Sequence, residues 1–295
     1  MVSDLEWAIL QTVAYADIFD YPMTSAEIHR YLIGRETSLD DVTLAITRLV
    51  GRYLADCDGF ICLIGREHIV QTRLRRADVA QKLWGYAKKY GRIVGRLPFV
   101  KMVAVTGSLA VDNTDKEGDI DLLIITAPGR LWLCRLLVIG IVKRGIRRDN
   151  ITICPNYFIT TNVMTITDQN PFTARELAQM VPIAGFEMYH HFRAINNWSH
   201  DYFPNAIHPP QRDIADPSQG LMQRLSEWML KTPIGTLLEK WEMSRKVKKL
   251  TANGVNSESR FTADMCKGHF DGHRERILSA YDQRLSMLQG QMAGD

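Results

Sequence analysis

The sequence lacks several features that would point to a secreted, membrane-spanning or strongly nucleic-acid-binding protein. It has only five cysteines, an odd and scattered set that fits free thiols in a reducing compartment better than a disulfide framework. Its most apolar run, residues 131–142, contains Arg135 and is too short to cross a bilayer. The start of the chain carries two acids and no basic segment, so no secretory signal is visible. We therefore expect a cytoplasmic protein without a membrane partner.

Charge and composition exclude the more extreme classes of protein. The net charge of +3 is too small to indicate a nucleic-acid partner by itself, and no internal repeat or low-complexity tract stands out. Hydrophobic residues make up 46% of the chain and charged residues 23%, which is typical of a globular protein. A length of 295 residues allows one large domain or two to three smaller ones.

The most informative stretch of the chain runs from residue 103 to residue 126. A short apolar run leads into Gly107 and Ser108, and about ten residues later Gly-Asp-Ile-Asp at 118–121 precedes a second apolar run. Both runs are rich in β-branched residues, which predicts two buried strands. The Gly-Ser pair closes the first strand and predicts the start of a helix, where backbone N–H groups and a hydroxyl can hold a phosphate.

Two carboxylates stand at the head of the second predicted strand. Asp119 and Asp121 are two residues apart, so strand geometry places both on one face of the sheet. Two carboxylates opposite a phosphate-binding turn are what a hard divalent cation such as Mg²⁺ requires. A Gly-Ser turn alone and an Asp-x-Asp alone are common, so the order strand, Gly-Ser, Gly-Asp-x-Asp, strand is the more specific signal.

This order of motifs, over about residues 95–160, resembles the signature of the polymerase-β-like nucleotidyltransferase superfamily. The resemblance implies a mixed-sheet core, of the α+β or α/β class, that moves a nucleotidyl group from a nucleoside triphosphate such as ATP to an acceptor hydroxyl. It further implies that Asp119 and Asp121 are catalytic and bind Mg²⁺, and that Gly107 and Ser108 cradle the β- and γ-phosphates.

The third predicted strand, residues 151–160, departs from the superfamily pattern. A third carboxylate often lies on this strand, and here the strand contains no Asp or Glu. Strict alternation predicts Cys154 and Asn156 on one face and Ile153 and Ile159 on the other. Asn156 is the candidate for the equivalent nucleotide-binding place, although an amide ligates a metal weakly and cannot act as a base.

Residues 1–75 resemble, by pattern alone, a winged helix-turn-helix module. Apolar spacing and helix-capping residues predict three helices, and the Asp58-Gly59 turn between two apolar runs predicts a hairpin. The third predicted helix opens with Asp40 and Asp41, which would repel DNA phosphates at its leading end. A structural or protein-docking role is therefore preferred for this module, and DNA binding is the alternative.

The rest of the chain is divided by the same patterns into three parts. We expect a basic linker helix over 76–97, the nucleotidyltransferase core over 98–165 and a C-terminal helical domain over 166–295. A basic run at 143–148 is typical of a helix C-terminus, where the helix dipole favours cations, and a contact to phosphate or nucleic acid is the alternative.

A further set of candidate site residues lies near the C-terminus. Lys267, His269 and Arg274 are predicted to form a polar loop that faces the phosphates of a nucleotide. Ordinary packing is the second interpretation. Zinc binding is the third, because Cys266, His269 and His273 would share one face if this segment were helical.

These signals together predict a Mg²⁺-dependent nucleotidyltransferase. Basic clusters on three segments favour RNA, such as tRNA, as its acceptor. Glu176 or Glu187 would supply the base that the third strand lacks. One alternative is a regulator that binds nucleic acid and keeps a catalytically weak nucleotide-binding core. The other is a small-molecule enzyme of the aminoglycoside-nucleotidyltransferase type, which also pairs this core with a helical domain.

Overall fold

The computed structural model describes residues 2–217, 220–252, 259–268 and 273–294. The fold is of the mixed α+β class, with a six-stranded mixed sheet and a separate two-stranded hairpin. The helices are α1 (Asp4–Asp17), α2 (Ser25–Arg30), α3 (Leu39–Leu49), α4 (Ile69–Gly95), α5 (Gly107–Ala110), α6 (Leu131–Asp149), α7 (Pro171–Gln179), α8 (Phe186–Ile195), α9 (Ser199–Tyr202), α10 (Leu221–Leu230), α11 (Pro233–Ala252) and α12 (His273–Gly294). The strands are β1 (Leu54–Cys57), β2 (Phe60–Leu63), β3 (Val100–Val105), β4 (Ile120–Thr126), β5 (Ile153–Thr160), β6 (Val181–Ala184), β7 (Arg260–Phe261) and β8 (Met265–Lys267).

The N-terminal part contains the three helices and the hairpin that the sequence predicts. Thr24 and Glu27 form a capping box at the start of α2, in which each side chain bonds the other residue's backbone N–H. The predicted boundary at residue 75 falls inside α4, which begins at Ile69 and continues for 27 residues. The helix starts early because Ile69 and Val70 are buried and extend its apolar side by almost two turns toward its N-terminus.

The central sheet has the strand order β6-β3-β4-β5-β8-β7. The pair β4 and β5 is parallel, since α6 forms the crossover between them, and the other neighbours pair antiparallel. On one face Val103, Val105 and Ile124 pack against α4 and α6. On the other face Leu123 and Ile125 pack against α7 and α8. Within the described residues, no helix has the combination of length and apolarity needed to cross a bilayer.

The segment 166–295, predicted as a helical domain, is not wholly helical. Strand β6 pairs with β3 at one side of the sheet, and β8 pairs with β5 at the other. These strands have four and three residues, too few to show an alternating pattern in the sequence. The last helix, α12, packs its residues Ile277, Tyr281 and Leu288 into the core of the N-terminal part.

A β-bulge interrupts β5 beside the acidic residues of β4. Asp121 pairs with Cys154, but Leu123 pairs with Tyr157, so β5 has one more residue than β4 over this interval. Pro155 lies in the bulge, where its missing N–H costs no ladder hydrogen bond.

The bulge overturns the predicted alternation along β5. Ile153 packs with the α4 and α6 layer, whereas Ile159 packs with the α7 and α8 layer, so these two side chains do not share a face. Cys154 pairs with Asp121 and therefore lies on the same face as Ile159. A bulge changes the parity of every later residue, which strict period-two counting cannot anticipate.

Candidate acidic site facing a glycine turn

The turn after β3 begins the candidate site. Gly107 is the first residue of the short helix α5 and has a φ of +66°, in the left-handed region that glycine tolerates best. A Cβ atom at this position would lie 2.4 Å from Oδ2 of Asp121. The turn therefore requires glycine for two reasons, its backbone conformation and the carboxylate that lies against it.

The acidic residues converge at the head of β4, as the spacing predicts. Ligand atoms of Asp119, Asp121 and Cys154 all lie within 4.8 Å of one another, an arrangement that could hold a metal ion. The side-chain amide of Asn156 donates a hydrogen bond of 2.7 Å to Oδ1 of Asp121. The strand next to β4 thus brings a thiol and an amide to the acidic pair, and neither carries the charge of a third carboxylate.

The electrostatics of this cluster favour a bound cation. Burial raises the pKa of Asp121 to about 8, and the negative charges of Asp119 and Glu176 act in the same direction. Burial, together with the negative charges of Asp121 and Asp119, raises the pKa of the Cys154 thiol to about 12, so the thiol stays protonated. A cation would relieve the crowding of the carboxylates. Two carboxylates suit a hard ion such as Mg²⁺, whereas a neutral, soft thiol does not.

Of the acidic cluster, Asp121 lines a cavity of about 490 Å³, whereas Asp119 and Cys154 are not among its lining residues. Gly107, Ser108, Asp121 and Asn156 line one wall of this cavity. The volume lies within the range of about 300–1,000 Å³ typical of small-molecule sites. Four residues that the sequence assigned to nucleotide or metal binding are therefore brought to one cavity, although they come from three separate segments.

Helix α7 contributes a further carboxylate, Glu176, to the same cavity. Oε2 of Glu176 accepts a hydrogen bond of 3.3 Å from the backbone N–H of Gly107, and Gln179 donates to Oε1 at 2.7 Å. Burial raises the pKa of Glu176. The other predicted base, Glu187, is exposed on α8 and does not line the cavity. Of the two, Glu176 is placed to act on a ligand in the cavity.

Two basic residues reach the cavity from the C-terminal segment. Lys267 and Arg274 both line it, and both approach Asp168, at 4.0 Å and 3.2 Å from its Oδ2. The third member of this predicted group, His269, lies outside the described residues. Lys267 and Arg274 therefore bring positive charge to the cavity that Asp121 lines.

The condition that Cys266, His269 and His273 share one helix face is not met, because Cys266 is not helical; His269 lies outside the described residues, so zinc binding itself stays untested. Cys266 lies in strand β8, where it is buried and pairs with Phe158. His273 is the first residue of α12, a separate element. Cys266 and His273 therefore do not share a helix face, and the strand forms because β8 completes the sheet beside β5.

The N-terminal part forms a wall of the cavity that sequence patterns did not indicate. Tyr15, Phe19 and Tyr21, from the end of α1 and the turn after it, line the side facing α7. Arg76 of α4 fixes this segment by donating to the backbone oxygen of Phe19 at 2.8 Å and to Asp115 at 2.9 Å. Such a contact depends on tertiary packing between distant segments, so no local pattern reveals it.

Comparisons of the chain with models of protein families, with curated proteins and with solved structures give no match. The site is therefore interpreted from its own geometry. That geometry consists of an acidic pair whose member Asp121 lies against a glycine turn, and of a carboxylate on α7 and basic side chains that line the same cavity as Asp121. These are the groups that a phosphate-bearing ligand and a divalent cation would contact together.

Proposed function

We propose that the protein is a nucleotidyltransferase that uses a nucleoside triphosphate together with Mg²⁺. The observation that carries this proposal is the pair of Asp119 and Asp121, of which Asp121 lies against the Gly107 turn and lines a cavity of nucleotide size. Asp119 and Asp121 would hold the cation, and Ser108 and the Gly107 turn would contact the phosphates. When bound, Mg²⁺ would neutralise negative charge on the phosphates.

In the proposed reaction an acceptor hydroxyl oxygen forms a bond to the α-phosphorus of the triphosphate. The bond from that phosphorus to the oxygen bridging it to the β-phosphate breaks, and pyrophosphate leaves with the electron pair. The hydroxyl proton passes to a carboxylate, for which Glu176 is the candidate because it lines the cavity and its pKa is raised. Lys267 and Arg274 line the same cavity and would contact the departing phosphates.

The geometry favours a small-molecule acceptor over RNA. The basic runs at 143–148 and 245–249 belong to α6 and α11, and α6 packs on the face of the sheet opposite the α7 layer. Asp121 lies on the α7 side, so these cations do not surround the entrance to the cavity. The wall formed by Tyr15, Phe19 and Tyr21 encloses the cavity further, which suits a compact acceptor.

One observation favours the alternative of a regulator that binds nucleotide without transferring it. Glu176 already accepts the N–H of Gly107, so a phosphate oxygen at that N–H would have to displace a carboxylate. In addition, β5 supplies Cys154 and Asn156 where the superfamily that the sequence resembles often has a carboxylate. In this alternative, nucleotide binding would be retained and transfer to any acceptor would be absent.

The test is incubation of the protein with each α-labelled nucleoside triphosphate and Mg²⁺, in one arm with small cellular metabolites and in the other with total RNA. The proposal expects label transfer to a metabolite that is lost in the Asp119→Asn, Asp121→Asn double variant. Asp40→Asn, which changes an exposed acid on α3, is the matched control and should transfer normally.

Each other outcome of this experiment has a defined meaning. Transfer that persists in the double variant would overturn the assignment of the acidic pair. Transfer to RNA alone would support the enzyme and reject the small-molecule acceptor. Calorimetric binding of a triphosphate without transfer in either arm would establish the regulator.

A further inference from the structure

An exposed apolar surface lies on the hairpin of α10 and α11, residues 221–252, far along the chain from the acidic site. Large apolar side chains recur along both helices at helical spacing, with exposed fractions from 39% to 79%. They are Leu221, Met222, Leu225, Trp228, Met229, Ile234, Leu237, Leu238 and Trp241. We call this set the hairpin patch.

The side of the hairpin that faces the protein is held by buried polar residues, beside apolar residues such as Leu230 and Met243 that pack on the core. Gln223 donates to the backbone oxygen of Leu97 at 3.1 Å, and Glu227 accepts from the backbone N–H of Phe99 at 2.9 Å. Glu239 is buried and accepts from two backbone N–H groups at the start of α6. These hydrogen bonds fix the rotation of both helices so that a second set of apolar side chains points outward, where an ordinary surface helix is polar.

The hairpin patch is larger than a typical monomer exposes. Its side chains would each present about 150–250 Å² if fully exposed, so their observed fractions correspond to roughly 1,000 Å² of accessible surface. The largest apolar patch on an ordinary monomer covers only about 300–600 Å². An exposed apolar area of this size indicates a surface that is covered by a membrane or by another molecule.

The charges around the hairpin patch have one sign. The exposed charged residues of 221–252, a segment the structure describes throughout, are all basic: Arg224, Lys231, Lys240, Arg245, Lys248 and Lys249. The acids of the segment, Glu227, Glu239 and Glu242, are half-buried or buried. The neighbouring α6 adds the exposed cations of 143–148. Partial burial, with the nearby cations Arg245, Arg135 and Lys249, lowers the pKa of Lys246.

We propose that the hairpin patch binds the surface of an anionic phospholipid membrane, with Trp228 and Trp241 entering the interface between headgroups and acyl chains. A wide apolar side that includes tryptophans, bordered by lysine and arginine and without exposed acids, is the pattern of interfacial helices. The protein would lie on the bilayer without spanning it. This proposal replaces the expectation from sequence that no membrane partner exists, and it does not depend on nucleotidyl transfer.

The charge pattern is the reason to prefer a lipid surface to a second copy of the chain. A two-fold pairing of hairpin patches would bring two sets of cations around one interface, with no exposed acid on the hairpin to compensate them. Anionic headgroups instead attract each lysine or arginine that is held near the surface. They require no matching shape on the partner.

The experiment is co-sedimentation of the full chain with two kinds of vesicle, phosphatidylcholine alone and phosphatidylcholine with phosphatidylglycerol. We expect binding mainly to the anionic vesicles, weakened by roughly tenfold or more at high salt, since salt screens the headgroup charge. The Trp228→Ser, Trp241→Ser variant should lose at least about tenfold in partitioning. The Lys240→Gln, Lys248→Gln, Lys249→Gln variant should lose the preference for anionic vesicles.

Control variants distinguish binding through the hairpin patch from non-specific binding through any exposed apolar side chain. Leu44→Ser and Met287→Ser replace apolar side chains that are 55% and 68% exposed elsewhere, and both should bind vesicles as the unchanged chain does. Circular dichroism and thermal unfolding verify that each variant is folded. Equal binding to neutral vesicles, or loss in the control variants, would overturn the proposal. The proposal would also be overturned if light scattering showed a dimer that binds no vesicle and if the tryptophan variant were monomeric. The hairpin patch would then be an interface between two copies of the chain.

Discussion

The side-chain amide of Asn156 donates a hydrogen bond of 2.7 Å to Oδ1 of Asp121, which is the carboxylate whose pKa is raised to about 8. A neutral donor thus occupies a position beside the acidic pair where a third carboxylate would add more repulsion. The contact stabilises the ionised form of Asp121 without changing the charge of the site. It also gives a direct way to vary the number of carboxylates around the proposed cation.

Asn156→Asp should destabilise the protein when no cation is present and strengthen its response to Mg²⁺. The new carboxylate loses the hydrogen bond to Asp121 and adds a like charge, so the free energy of unfolding should fall by about 1–3 kcal/mol in a chelator. With saturating Mg²⁺ the difference should shrink or reverse, since a third hard ligand favours the bound ion. Urea unfolding with and without Mg²⁺ measures both effects.

Asn156→Leu is the matched control for this experiment. It removes the same hydrogen bond but adds no ligand, so it should be destabilised with no increased response to Mg²⁺. If Asn156→Asp and Asn156→Leu respond equally to Mg²⁺, the cation does not bind beside residue 156, and the assignment of the acidic pair as its ligands is wrong.

Gly107→Ala should destabilise the site more than Gly129→Ala, although both glycines have a left-handed backbone conformation. Gly107 and Gly129 have φ values of +66° and +64°, but a Cβ at 107 would meet Asp121 Oδ2 at 2.4 Å, while a Cβ at 129 would meet nothing within 4 Å. Both substitutions introduce backbone strain of about 1 kcal/mol, and only the first displaces a carboxylate. We expect Gly107→Ala to lose at least about 1 kcal/mol more of unfolding free energy and most of its Mg²⁺ response.

Chemical denaturation of the two glycine variants in parallel measures this difference. Equal destabilisation by Gly107→Ala and Gly129→Ala would show that the close approach between Gly107 and Asp121 has no energetic consequence. An unchanged Mg²⁺ response in Gly107→Ala would show that Asp121 is not held by that turn.

Much of the site could be predicted from sequence because its parts lie close together in the chain. The apolar runs around Gly107 and Asp121 identify β3 and β4, and period-two spacing places Asp119 with Asp121. Each of these inferences needs only neighbouring residues and the geometry of one strand. The same is true of the Thr24 cap at α2, which depends on a residue three positions away.

The rest could not be predicted because it depends on pairing between distant segments. The bulge at Pro155 becomes visible only when β5 is aligned with β4, so Cys154 could not be identified as a neighbour of Asp121. The wall that includes Tyr15 is formed by packing of the N-terminal part against α7. Strand β6 is too short to show a pattern of its own.

Asp17→Ala should lower the free energy of unfolding, because Asp17 makes the main electrostatic contact between the first and last helices. Its side chain is 5% exposed and accepts from Nε of Arg66 and from Nε of Arg284, each at 2.7 Å. Asp17→Ala leaves both guanidinium groups without this partner, and because both are partly exposed we expect a loss of about 2–3 kcal/mol. Asp40→Ala, at an exposed acid on α3, should cost less than about 1 kcal/mol.

Hydrogen exchange locates the consequence of the Asp17 change. Because Arg284 belongs to α12, amides of that helix should exchange faster in Asp17→Ala, while amides of the central sheet should change less. Uniform acceleration over the whole chain would indicate global destabilisation, and would contradict a local role for this contact between helices.

The acidic cluster should make the protein less stable as pH rises, and Mg²⁺ should remove this dependence. The pKa of Asp121 is about 8 in the folded protein, against an ordinary value of 3.8, so the folded state binds the proton more tightly than the unfolded state. Between these two values the free energy of unfolding therefore falls as pH increases, by up to a few kcal/mol in a chelator. The pKa of Glu176 is also raised, which adds a contribution of the same sign.

Urea unfolding at several pH values from about 5 to 9, in chelator and in Mg²⁺, tests the sign of this effect. Asp121→Asn removes the titrating group, so its stability in chelator should fall less steeply with pH and should retain only the part that Glu176 contributes. Bound Mg²⁺ favours the ionised carboxylates, so the unchanged protein in Mg²⁺ should show a flat or rising profile over the same range. If the free energy of unfolding falls with pH to the same extent in chelator, in Mg²⁺ and in Asp121→Asn, the titrating groups lie outside the acidic pair. Such groups would be affected neither by the bound cation nor by the loss of the Asp121 carboxylate.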